Sequence, residues 1–76
     1  MEYIYVLEVE LTGNIFEFET NYYFSSLEHA ISGFKQLQET NTVRFLGIGK
    51  RRLDTLNTDY EEYFTEKDLA DKLGEN

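Results

Sequence analysis

An α+β fold is expected from three features of this sequence. Two alternating apolar–polar runs are joined at a glycine turn, one amphipathic helical stripe follows, and shorter strand and helix signals lie behind it. The expected architecture is an antiparallel sheet of three or four strands. One long helix packs on one face and a short helix closes the C-terminus, in the order ββαβ(β)α. A chain of 76 residues makes one domain, residues 1–76. At this length it buries only about 60–65% of its unfolded surface, so the core must be used fully.

From Tyr3 to Leu11, residues Tyr3, Tyr5, Leu7, Val9 and Leu11 share one face and Glu8 and Glu10 the other. From Ile15 to Tyr22, residues Phe16, Phe18 and Tyr22 oppose Glu17 and Glu19. Thr12-Gly13-Asn14 carries turn chemistry between the runs. A two-residue Gly13-Asn14 loop sets Leu11 opposite Phe16, Val9 opposite Phe18, Leu7 opposite Thr20 and Tyr5 opposite Tyr22. Glu10 then faces Glu17, and Glu8 faces Glu19.

The long helix is expected to begin at Ser25, where Ser25-x-x-Glu28 fits a capping box. Leu27, Ala30, Ile31, Phe34 and Leu37 form its buried stripe, and Asn41 is a suitable left-handed cap. A third strand runs from Thr42 to about Ile48 with Val43 and Phe45 inward. Gly47-Ile48-Gly49 marks a bulge or bend, and residues 50–56 are read as a fourth strand. Thr58-x-x-Glu61 and Thr65-x-x-Asp68 are two further capping boxes. The first opens a short turn through Tyr60, Tyr63 and Phe64. The second starts the last helix, docked by Leu69, Ala70 and Leu73 and stopped by Gly74. Tyr5, Leu7, Val9, Phe16, Phe18, Leu27, Ile31 and Phe34 are the expected core.

Fifteen acids against seven Lys or Arg give a net charge of -8, unevenly spread. Residues 1–41 carry -6, residues 42–53 carry +4 through Arg44, Lys50, Arg51 and Arg52, and residues 54–76 carry -6. Such a chain repels nucleic acid at long range and favours basic protein surfaces. The sequence has no Cys, hence no disulfide framework or thiolate metal site. No apolar run approaches the roughly 18 residues of a membrane span. Met1-Glu2-Tyr3 lacks the basic start of a signal peptide, so a cytoplasmic setting is expected.

No catalytic signature is found, and no enzyme, metal or cofactor is expected. His29 is the only His, on a helix position beside the apolar stripe. Ser25, Ser26 and Ser32 are explained by capping and a wet helix face. Around Gly47-Ile48-Gly49-Lys50 the phosphate-loop pattern would need Gly at 44 and Ser or Thr at 51, where Arg44 and Arg51 stand. The acids near the C-terminus lack the central Gly of a calcium loop.

The residues expected to bind a partner are Glu8, Glu10, Glu17 and Glu19, with Ile4, Val6 and Tyr23 as apolar anchors on the same face. Like charges directly opposed on a sheet cost about 0.2–1 kcal/mol, and a basic partner would offset that cost. The competing expectation is neutralisation within the molecule by Arg44, Lys50 and Arg52. A second candidate segment is Asp59, Tyr60, Glu61, Glu62 and Tyr63, which reads equally as a solvated first turn of a helix.

In size, acidity and want of a catalytic set, the chain resembles in type the small inhibitors that phages and mobile elements direct at host nucleic-acid enzymes. Anti-CRISPR and DNA-mimic proteins are of this kind. The resemblance involves no motif, so no functional residue is carried over from it. It implies a non-enzymatic inhibitor, monomeric or weakly dimeric, that occludes a basic surface of a host nuclease or nucleic-acid-binding complex. Charge speaks against direct nucleic-acid contact and the lack of a long apolar run against a membrane, and a phage-encoded chain would act in the host cytoplasm. The alternative is an assembly protein that self-associates through a sheet face or edge.

Overall fold

The computed structural model describes residues 2–13 and 17–74. Among these residues four strands and two helices follow in the order ββαββα: β1 (Tyr3–Thr12), β2 (Glu17–Phe24), α1 (Leu27–Thr40), β3 (Thr42–Arg52), β4 (Glu62–Phe64) and α2 (Ala70–Leu73). The strands form one antiparallel sheet in the order β2-β1-β3-β4. This is the expected α+β class. Among the described residues no helix is long and apolar enough to cross a membrane.

The hairpin keeps its expected faces but not its expected register. Leu11 stands across from Phe18, Val9 from Thr20, Leu7 from Tyr22 and Tyr5 from Phe24. The slip is two residues, and an even slip leaves every side chain on its own face. It brings Tyr22 and Phe24 against the core, and the Phe24 ring fills the space over Gly33 of α1. Glu10 therefore faces Glu19 alone, while Glu8 meets Asn21 and Glu17 meets Thr12. The Gly13-Asn14 turn and the core place expected for Phe16 involve positions outside the described residues.

β3 is one continuous strand to Arg52, so residues 50–56 are not a strand of their own. Opposite Glu8 and Val9 its partners jump from Gly47 to Phe45, leaving Leu46 as the extra residue of a bulge. The bulge has a packing reason. Phe45 and Ile48 are three residues apart, and strict alternation would turn one of them outward. With Leu46 looped out, both are buried.

The core lies between the sheet and the helices: Leu7, Val9, Ala30, Ile31, Phe34, Phe45, Ile48, Leu69 and Leu73. Phe34 meets Phe45 edge-on, with ring centroids 5.1 Å apart. Tyr5 and Leu27 pack against this cluster partly buried. Phe18, expected inside, is 44% exposed.

The caps differ in detail. Ser26, not Ser25, caps α1 by accepting from the His29 backbone N–H at 3.1 Å, while the Ser25 hydroxyl meets His29 Nδ1 at 3.3 Å. Asn41 is extended rather than left-handed, because β3 begins at the next residue, and its N–H returns to the Leu37 carbonyl. Thr58-x-x-Glu61 opens no helix. The Glu61 N–H donates to the Lys50 carbonyl at 2.7 Å, and the chain enters β4. Thr65-x-x-Asp68 forms the bonds of its box, Asp68 accepting from the Thr65 N–H at 2.9 Å and Thr65 Oγ from the Asp68 N–H at 3.3 Å, but it closes a turn and does not start the last helix, since α2 begins at Ala70 with Leu69 in the N-cap place. These bonds hold the Asp68 carboxyl below its ordinary range, the backbone bond first. Gly74, at φ 80, ends α2.

Candidate functional site

The sheet face turned away from α1 carries Ile4, Val6, Glu8 and Glu10 of β1, and Glu17, Glu19, Asn21 and Tyr23 of β2. It also carries Arg44, Gly47, Gly49 and Arg51 of β3. Gly47 and Gly49 leave a strip of this face without side chains. The segment after β3 returns across that strip. The Tyr63 phenol fills the space over Gly47 and the Tyr60 ring the space over Gly49. Both hydroxyls donate to one carboxylate: Tyr60 to Glu8 Oε2 at 2.7 Å, and Tyr63 to Glu8 Oε1 at 2.8 Å. The two rings lie 5.7 Å apart. Val6, across from both Gly49 and Tyr23, is 2% exposed on this side of the sheet.

Burial, and then the hydrogen bond to the Glu8 carboxylate, favour the neutral phenols. Tyr63 is pushed up to about 12, with the charges of Glu8 and Glu19 adding to the effect. Tyr60 is raised further for the same leading reasons.

The cations of β3 are distributed by strand phase. Arg44 points to the outer face and pairs with Glu10 at 3.0 Å. Lys50 and Arg52 fall in the opposite phase and pair with Glu62 at 3.4 Å and Glu61 at 2.9 Å. Neutralisation by Arg44 thus reaches one rung of the acidic ladder. Lys50 and Arg52 serve the return segment instead.

The two candidate clusters are therefore one assembly. Tyr60 and Tyr63 sit on Glu8, while Glu61 and Glu62 tie the return segment to β3. Asp59 is exposed, its N–H held by the Asn57 side chain at 2.9 Å. Glu17, Glu19 and Tyr23 are exposed, Glu10 and Ile4 are half-buried, and Val6 is buried. Sequence reasoning missed Leu53, 42% exposed, and the open hollow of about 540 Å³ that it lines with Glu2, Tyr3, Ile4, Tyr23, Phe24 and Ser25. It also missed the tyrosine clamp. The available signal was Gly47-x-Gly49, two glycines at one strand phase, followed by a pair of tyrosines able to fill the strip.

Among the described residues no group of three or more Asp, Glu or His side chains is arranged to hold a metal ion. No family model, no curated protein and no solved structure matches this chain.

Proposed function

We propose that this chain is a non-enzymatic binding module that occludes a basic, nucleic-acid-binding surface of a partner protein. The partner is of the kind presented by a nuclease or defence complex. One observation carries the reading. Arg44, Lys50 and Arg52 are engaged with Glu10, Glu62 and Glu61, and Arg51 stands across from Ile4, at the other end of the outer face from Glu17 and Glu19, which leaves those two acids exposed and without an ion pair among the described residues. Tyr23, 56% exposed, stands on the same strand beside the hollow lined by Ile4 and Leu53. Glu17 and Glu19 act as phosphate surrogates through charge-assisted hydrogen bonds to Arg and Lys, and Tyr23 is the apolar anchor. The net charge of -8 steers encounter.

The test is capture of partners from a lysate by the parent and by a Glu17→Lys/Glu19→Lys variant with an unchanged circular-dichroism spectrum. The parent's partner is expected to be displaced by duplex DNA and by salt, and the variant to lose it. Capture that survives both the reversal and the DNA competitor overturns the reading.

A second reading, self-association, is favoured by the eight-residue edge strand β2. Charge opposes it, since each copy carries -8. Mass in solution separates the two readings.

A further inference from the structure

We infer that the outer edge of β2 accepts an extended basic segment of the partner as a fifth strand. The inference rests on the proposed binding of a basic partner and adds how that partner is held. Among the described residues β2 ends the sheet, with β1 as its one neighbour. Its eight residues contain no Pro and no Lys, and its pairing with β1 runs without a bulge. Sheets blunt their edges with those devices, because an open row of N–H and C=O groups is a template for another strand. On β2 the only charges are Glu17 and Glu19, which repel an acidic chain and admit a basic one.

The surroundings specify side chains as well as backbone. Successive residues of an added strand alternate between the two faces. On the outer face they meet Glu17, Glu19, Asn21 and Tyr23. On the helix side they meet a hollow of about 330 Å³ between β2 and α1, walled by Tyr22, Phe24, Gly33 and Leu37. The matching segment carries Lys or Arg at alternate positions and apolar residues between them. Backbone bonds supply affinity in this mode and the alternate side chains supply specificity. Charge disfavours a second copy of this chain as the occupant, since each copy carries -8.

The probe is a synthetic peptide about as long as β2 that alternates Lys or Arg with Val or Phe. It is compared with an isomer in which the basic residues are blocked together. Two further versions carry N-methyl groups on one or the other alternate set of backbone nitrogens. Only one set of N–H groups faces β2, so one methylated peptide should lose more than about tenfold in affinity while the other keeps it. The blocked isomer should bind more weakly, and Glu17→Lys/Glu19→Lys should weaken the parent peptide. Amides of β2 should gain protection from hydrogen exchange in the complex. If both methylated peptides and the blocked isomer bind like the parent, strand addition is overturned while the acidic-face reading stands. If the peptide does not bind, strand addition is overturned and the acidic-face reading is decided by the lysate capture; if it binds but ignores the charge reversal, both are overturned.

Discussion

Tyr60 occupies the space over Gly49, where even a first side-chain carbon would overlap its ring. The ring has little freedom to yield, because its hydroxyl is fixed on Glu8 at 2.7 Å. Gly49→Ala is therefore expected to displace Tyr60 and lower stability by about 1–3 kcal/mol, the usual range for forced overpacking. Urea unfolding measures the loss. An unchanged midpoint would mean that the return segment contributes nothing to the fold.

The clamp also sets an alkaline limit. Tyr63 lies near 12 in the folded protein against an ordinary value of 10, and Tyr60 higher still. Folding thus favours the neutral phenols. Their contribution is fully present below the unfolded value near 10 and is lost as pH rises through the folded value near 12. Stability should fall across that interval. A Tyr60→Phe/Tyr63→Phe variant should be less stable at neutral pH, by about 1 kcal/mol per bond, since Tyr63 is 42% exposed. It should also show a flatter alkaline slope in denaturant titrations.

Phe34, 4% exposed and edge-on to Phe45, joins helix to sheet. Phe34→Ala should cost about 3–5 kcal/mol, most of the stability of a small domain. Leu56→Ala, at a side chain fully in solvent, should stay within about 0.5 kcal/mol of the parent. Thermal melts followed by circular dichroism compare the two. Equal melting of Phe34→Ala and parent would refute the placement of the helix stripe.

What the sequence disclosed follows the range of the interaction concerned. Strand faces and the stripe Leu27–Ala30–Ile31–Phe34 were legible because alternation and helical period are local. The hairpin register was not, since alternation scores a two-residue slip as equal. The choice fell to Phe24 against Gly33, a contact between elements. Tyr60 and Tyr63 read as one helical face at i, i+3, yet no helix forms there, and both rings lie on the glycines of β3 with their hydroxyls on Glu8 of β1. The acidic character of the outer face was legible. Which acids stay exposed was not, because pairing of Arg44 with Glu10 depends on a cross-strand register.

That register yields the sharpest electrostatic test. Glu10 faces Glu19 on one side and Arg44 on the other. Glu19→Gln relieves a like-charge pair and should stabilise the domain by about 0.2–1 kcal/mol at low salt. Glu10→Gln relieves the same pair but gives up an ion pair whose Arg44 is 67% exposed, an interaction worth about 0.2–1 kcal/mol. The two effects nearly cancel, so little change is expected. Once Glu10 is neutral, Glu19→Gln should gain almost nothing, which makes the double variant less stable than the sum of the single ones. High salt should erase these differences. A destabilising Glu19→Gln would show that Glu19 has a stabilising role within the fold, against its place as an uncompensated acid. A stabilised Glu19→Gln that binds the basic peptide less well would connect the stability cost of this carboxylate to recognition.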